Sequence, residues 1–442
     1  MQMTFDTIIK GGTIVNQDGI GQADIGIKDG KIMGLGDLSQ ASAEKTISAT
    51  GLTVLPGVVD SQVHFREPGN EHKEDLETGS RAAVMGGVTS VFEMPNTSPL
   101  TTCPDTLADK IKRARHRMFC DFAFYVGGTR ENTNDIPDLE RLEGSAGIKV
   151  FIGSSTGNLL VDDEESLKKI LAKITRRAAF HSEDEARLIE RKGVRRQGDP
   201  SSHPEWRDVT AAMISTKMLV EAAREAGKRI HVLHISTAEE IEYLAHQKDV
   251  ASVELTPQHL SLSAPEVYEK LGTYAQMNPP LREARHAKAL WHGLQNGVAD
   301  VLGSDHAPHT IEEKEKPYPE SPSGMTGVQT LVPIMLDHVN NGKLSLERFV
   351  DLTSHGPNRL FGMATKGRIA VGMDADLTIV DMNQTRTITN DWIESKSQWT
   401  PYNGQTVKGW PKGTIIRGHR VMWEDEIIGT AIGEPVKFSE AL

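Results

Sequence analysis

From Asp6 to about Ser48 the apolar positions come in short β-type runs broken by Gly and Asp, as in DTIIKGGTIVN, ADIGIKDG and KIMGLGD, which predicts a strand meander. The C-terminal stretch has the same texture, in GRIAVGMDADLTIVDM and then TIIRGHRVMWEDEIIG. Two β-rich ends around a different middle suggest one small β domain built from both termini. In the middle, apolar runs of strand length alternate with amphipathic segments of helical length, the pattern of a parallel sheet with helical crossovers. Eight such runs stand out: TVLPGVVD, VTSVFEMP, DFAFYVGG, AGIKVFIG, RAAFH, RIHVLHIS, VASVELTP and VADVLGSD. Eight is the number that a closed (β/α) barrel requires. Among the helices, Val209, Met213 and Val220 fall near one face of a segment from about Trp206 to Ala226, with Gly227 where a C-terminal cap belongs. The longest stretch without a clear element, Thr310 to Thr326, is charged and then turn-rich, and reads equally as a lid or as a solvated excursion.

A chain of 442 residues, 38% hydrophobic and 25% charged, has room for several average domains or for one large barrel with an appendage. With 49 basic and 61 acidic side chains the formal charge is −12, which speaks against broad binding to nucleic acid or to an anionic membrane. A local anion pocket is compatible with it. The two cysteines, Cys103 and Cys120, lie in a polar loop followed by a helix-like run and do not suggest a disulfide framework. No leader-like segment opens the sequence and no apolar run reaches the roughly 18 residues of a membrane span, so the cytoplasm is the default expectation.

In a parallel barrel the loops after the strands share one face, and catalytic groups gather there. Polar residues in this sequence cluster at those ends: Asp60, Gln62, His64 and Arg66 in DSQVHFREPG, Asn96 in MPNT, Lys149 in the fourth run, His181 closing the fifth, His234 in the sixth, and Asp305 in GSDHAPH. One histidine alone is more often structural than a ligand. His64, His181 and His234 with Asp305 instead close separate strands of one barrel, and imidazoles with a carboxylate suit zinc or a similar divalent ion. Lys149 sits in an apolar strand, where a lysine is costly unless paired or neutralised. It could reach a carboxylate at the barrel mouth, or take up carbon dioxide as a carbamate. His231 and His259 lie beside the motifs but read as supporting or structural, as do His306 and His355.

With these motifs in view, the chain resembles the dihydroorotases of the amidohydrolase superfamily along nearly its whole length, from KGGTIV through QVHFREPG, MPNT, HIST, NPPLR and SDHAPHT to GRIAVGMDADLTIVD. HFREPG and SDHAPHT are the most specific parts. The resemblance implies an α/β fold, a (β/α)8 TIM-type barrel over 56–362 carrying a small β-sandwich from residues 1–55 and 363–442. It implies one or two zinc ions held by His64, Lys149 as an N6-carboxylated bridge, His181, His234 and Asp305, the last also moving the proton. Arg66 would clamp the substrate carboxylate, and Asn96, Asn278, His309 and the backbone at Gly324 would bind the rest of the substrate. The family usually has a histidine two residues before His64. Gln62 stands here instead, and an amide oxygen is a weak, neutral ligand.

The implied reaction is reversible hydrolysis of L-dihydroorotate to N-carbamoyl-L-aspartate, in a protein with a small-molecule substrate, no nucleic-acid or membrane partner, and a homodimer as the default assembly. A bound divalent ion lowers the pKa of water towards neutrality, Asp305 can shuttle the proton, and a planar guanidinium at Arg66 can take a carboxylate with two parallel hydrogen bonds. Two other readings stand beside it. A hydantoinase or allantoinase would share the metal apparatus without needing the clamp. An inactive scaffold, for example one docked on aspartate transcarbamoylase, is favoured only by Gln62.

Overall fold

The computed structural model describes residues 4–153 and 159–439. The two β-rich ends do meet. Strands β1 (Thr4–Asn16), β2 (Gly19–Lys28), β3 (Lys31–Gly36), β4 (Ser42–Ser48) and β5 (Thr53–Pro56) come from the N-terminal side. A parallel barrel follows, made of β6 (Val58–Val63), β7 (Val88–Glu93), β8 (Asp121–Gly127), β9 (Ser145–Ile152), β10 (Ala178–Ser182), β11 (Ile230–Val232), β12 (Ala251–Leu255) and β13 (Val301–Leu302). The chain then returns to the first sheet with β14 (Leu377–Thr387), β15 (Thr406–Ile416), β16 (His419–Trp423) and β17 (Glu426–Ile427). That mixed sheet runs β17-β16-β15-β14-β5-β1-β2-β3, with β4 on β1, so its central pairing of β5 with β14 joins the two ends.

The run TVLPGVVD was expected to be one barrel strand, and the structure corrects this. Thr53–Pro56 pairs with β14 in the mixed sheet, Leu55 opposite Thr378, and only Val58 onwards enters the barrel. Gly57 is the crossing point. A Cβ there would stand 2.3 Å from Thr89 Oγ1 and 2.9 Å from Asp376 Cβ, so no larger residue lets the chain pass so close between the two sheets. The helix expected from Trp206 begins instead at Val209, because His203–Trp206 forms a separate short helix and the Asp208 side chain caps the next one by accepting from Ala211 N. Its end is as expected, with Gly227 at φ +64° just beyond Glu225.

Alternation along the barrel strands sorts side chains into two layers. Val58, Val91, Phe122, Phe124, Ile148, Val150, Ala178 and Phe180 pack outwards under the helices, while Val59, Phe92, Ala123, Tyr125 and Ala179 fill the interior. The same alternation points Lys149 and His181 inwards. Eight strands nearly close: β6 and β13 meet through the Val63–His306 bridge, a 2.7 Å hydrogen bond from His64 N to His306 O, and Ser304 N donating to Asp60 Oδ1 at 2.9 Å. At the opposite end the C-terminal segment seals the barrel. Phe122 N donates to Glu434 O and Val436 N to Phe122 O, while Phe438 and Phe361 stack edge-on against Phe92 at 5.6 and 5.3 Å. No helix among the described residues is long and apolar enough to cross a membrane.

Phe361 is the centre of that plug, touching Phe92, Tyr125 and His231. Truncation to Ala is expected to cost about 3–5 kcal/mol, the usual penalty for emptying an aromatic site in a packed core. It should appear as a lower Tm by calorimetry, with metal content unchanged because the plug lies at the far end from the polar mouth.

Candidate active site

The polar side chains at the strand ends converge on the open mouth of the barrel. Three of their backbones are left-handed without being glycine: Arg66 at φ +66°, His234 at +35° and Asp305 at +45°. Each such placement costs on the order of 1–3 kcal/mol and persists only where surrounding packing enforces it, which is common at functional sites.

His181 and His234 form one pair, with His181 Nδ1 3.0 Å from His234 Nε2. The other nitrogen of His181 lies 2.9 Å from Glu183 Oε2. A carboxylate only accepts, so Nε2 carries the proton and Nδ1 presents its lone pair to His234. Glu183 is itself gripped by Arg207, whose Nε is 3.1 Å from Oε1 and whose Nη2 bonds Oε2. Burial works to raise the Glu183 carboxyl, but Arg207 and His181 outweigh it and hold it at about 2. Burial, with lesser repulsion from Lys149, also pushes His181 and His234 towards the neutral form. His234 Nδ1 is enclosed and has no partner among the described residues.

His64 and Asp305 form the second pair, with Nε2 3.2 Å from Oδ1. His64 Nδ1 donates to Asn96 Oδ1 at 2.8 Å, which again leaves a lone pair, this time facing a carboxylate unless a proton or cation lies between them. Gln62 joins this pair through nitrogen: its Nε2 donates to Asp305 Oδ1 at 3.0 Å, and its Oε1 is buried without a partner among the described residues. Lys149 is fully enclosed. Its Nζ donates to Val150 O at 2.9 Å and lies 3.7 Å from the centre of the Phe151 ring. No described carboxylate is within ion-pairing distance of it, and burial lowers its pKa well below the lysine range against the opposing pull of Asp305 and Glu254. The paired ammonium considered from sequence is therefore not what the structure holds.

Among the described residues no three His, Cys, Asp or Glu side chains form a ready cage around one point. The donors come as two pairs, and what could complete either is Lys149 or Gln62. The chemistry of the pairs nevertheless fits a metal. Two imidazoles on one tetrahedral zinc stand about 3.3 Å apart, close to the His181–His234 spacing, and a metal-bound histidine characteristically gives its other N–H to a carboxylate, as His181 does to Glu183.

Arg66 shows no ion pair with Glu67 or Glu71. Glu67 is taken by Arg117 at 2.7 Å, while Arg66 Nε donates to Pro308 O at 3.1 Å and its Nη2 lies 3.3 Å from His309 Nε2. Burial draws its pKa down to about 10, which leaves it charged at neutral pH. Asn96 lies beside His64, and Asn278 accepts from His203 Nε2 at 3.0 Å. Gly324, at φ +147°, is pressed against the site: a Cβ would be 2.3 Å from Ala307 O and 2.9 Å from the His309 ring. Its N–H is used by Gln276 O and its carbonyl accepts from Lys314 Nζ.

Three of the histidines read as supporting or structural have polar partners of their own. His231 hydrogen-bonds Ser252 Oγ at 2.8 Å, His259 bridges Thr256 Oγ1 and Pro279 O, and His306 lies 3.3 Å from Glu74. Sequence reading missed Glu183, Arg207 and His203. Glu183 alone gave a signal, since it follows His181 by two residues and strand alternation puts it on the same side.

A sequence model of the amidohydrolase family matches residues 53–421, and a model of the urease alpha-subunit N-terminal domain matches residues 1–54. The chain belongs to the amidohydrolase family. This amidohydrolase is 37% identical over 439 residues to a dihydroorotase of Methanosarcina acetivorans, covering 96% of this chain and 93% of that protein. It is 35% identical over 451 residues to an L-hydantoinase of Paenarthrobacter aurescens, covering 96% of each. Among solved structures, the L-hydantoinase (dihydropyrimidinase) from Arthrobacter aurescens superposes with a TM-score of 0.94 at 32% identity, over 98% of this chain and 99% of that one.

Two outcomes follow from this geometry. Replacing Glu183 by Gln removes the acceptor charge behind His181 and should weaken metal binding about 10–100-fold, read by competition with a chromogenic chelator. Replacing Gln62 by His exchanges a weak oxygen donor for an imidazole and should raise the metal bound per chain, measured by elemental analysis after stripping and reloading.

Proposed function

We propose that this amidohydrolase opens and closes the cyclic amide of L-dihydroorotate, with N-carbamoyl-L-aspartate as the open form. The observation that carries this reading is Arg66: a partly buried guanidinium with no carboxylate partner among the described residues, close enough to His64 and Asp305 to act on both electrostatically. A charge kept unpaired there is suited to a ring that brings its own carboxylate. The dihydroorotase relatives support it.

Amidohydrolases generally use a metal such as zinc. His181 and His234 would hold one ion together with Lys149, and His64 with Asp305 would serve a second, weaker position. When bound, such an ion supplies Lewis acidity at the amide carbonyl and makes hydroxide available near neutral pH. To bridge the two positions, Lys149 would act as an anion. Burial favours the neutral form of its amine, and addition of that amine to carbon dioxide with loss of one proton gives a carbamate with two oxygens.

The remaining steps belong to the chain's own side chains. Arg66 and His309 hold the substrate carboxylate, while Asn96 and Asn278 orient the ring. Asp305, steadied by Gln62 and His64, accepts the proton lost from the attacking water and returns it to the ring nitrogen as the C–N bond breaks. In ring closure the same carboxylate moves the proton the other way.

Hydrolysis of a hydantoin is the second reading, favoured by the L-hydantoinase likeness at comparable identity and nearly full coverage. Arg66 separates the two. Ring opening of L-dihydroorotate, followed by its loss of ultraviolet absorbance, should proceed with the wild-type enzyme, and Arg66→Met should lower kcat/KM about 100-fold or more. Equal activity of wild type and Arg66→Met, with faster turnover of hydantoins, would transfer the assignment to the second reading.

A further inference from the structure

His309 stands between two cations and one carbonyl, and their chemistry selects a single form of its ring. Nε2 is 3.0 Å from Ser323 O, and a carbonyl only accepts, so the ring proton is on Nε2. Nδ1 is 3.2 Å from Lys73 Nζ, and an ammonium only donates, so Nδ1 keeps its lone pair. These two shorter contacts agree and outweigh Arg66 Nη2, a donor 3.3 Å from Nε2 that by the same rule would favour a lone pair there. Glu313 Oε2 lies farther from Nδ1, at 3.5 Å, and would favour the opposite tautomer. Its other oxygen is instead bound to Lys73 at 3.0 Å, so Glu313 holds Lys73 in place. Trp399 Nε1 fixes the backbone of His309 by donating to its carbonyl at 2.8 Å.

The consequence is a pair of donors that cannot bond to each other. His309 Nε2–H, which donates to Ser323 O in this structure, lies 3.3 Å from Arg66 Nη2, so a carboxylate arriving at Arg66 meets that proton by sharing it with Ser323 O. Two such donors side by side form a cradle for the two oxygens of a carboxylate. We propose that Lys73 is a positioning residue for this cradle: by donating to Nδ1 it fixes His309 as the Nε2–H tautomer, and through Glu313 it ties the cradle to the segment Ile311–Lys314. This rests on the reading that the substrate carboxylate docks at Arg66.

The test uses the full-length enzyme with 15N-labelled histidine, the His309 signals being identified by their loss in His309→Asn. In wild type the ring nitrogens of His309 should show the Nε2–H pattern in the absence of substrate. Lys73→Met should shift them towards a tautomer mixture, and KM for dihydroorotate should rise about tenfold, the scale of one charge-assisted hydrogen bond, with a much smaller change in kcat. Lys73→Arg should restore both. Glu313→Gln, in a short solvent-facing turn, supplies a second variant and should give the same tautomer shift more weakly. An unchanged His309 pattern in Lys73→Met and Glu313→Gln overturns the proposal, as does a loss confined to kcat. Because the tautomer is read without substrate, a shifted pattern in an enzyme inactive on dihydroorotate would uphold the role of Lys73 and count against the substrate reading alone.

Discussion

Desolvation governs the mouth of this barrel. Lys149, His64, His181 and His234 are all enclosed, and burial is the largest influence on each, favouring the uncharged form. Asp60 and Glu254, just beneath them, are pushed up by the same cause to about 7 and about 8. Neutral imidazoles can ligate a cation, and a neutral amine can add to carbon dioxide, whereas imidazolium and ammonium can do neither. The apolar strands therefore prepare the proton state of the site as well as carrying it. Glu183 is the exception: Arg207 keeps it charged in the same surroundings, and a charged acceptor there fixes which nitrogen of His181 points into the mouth.

Much of this was legible in the sequence because strand alternation has only two sides. Once Ile148 and Val150 face the helices, Lys149 must face the interior, and the same holds for His181 after Phe180. The barrel, the mixed sheet from both ends and the gathering of polar strand ends followed from pattern. TVLPGVVD misled because Thr53–Pro56 is as apolar as Val58–Val63, and only the close approach at Gly57 divides one sheet from the other. His203, Lys73 and Arg207 were not legible. They come from loops whose paths are set by tertiary packing, and nothing in HPEWRD or EHKED announces which side chain turns inwards.

Family membership narrows the chemistry without choosing the ring. The dihydroorotase and L-hydantoinase relatives match at 37% and 35% identity over similar lengths, a difference too small to separate substrates. The physical asymmetry is larger. A site that holds a cation unpaired in a partly buried place penalises a neutral ring, because the cation stays unsatisfied when that ring binds. On the proposed reading, the choice of ring falls on a few atoms at Arg66 and His309 more than on overall likeness.

The segment from Thr310 to Thr326 bears on the same atoms. It is not a loose charged excursion: Lys314 is buried and donates to Pro322 O and Gly324 O, and Tyr318, Ser321 and Met325 are buried as well. With no carboxylate partner among the described residues, Lys314 is drawn by burial to about 7. Its hydrogen bonds shape the turn that brings Gly324 against the His309 ring, and Glu313, one residue earlier, reaches the other way to Lys73. One short helical turn thus faces two directions, inwards through Lys314 to fasten its own segment and outwards through Glu313 to Lys73. On the proposed role of Lys73, opening this segment would break both sets of contacts and release His309, so access to the site and preparation of the carboxylate cradle would be coupled.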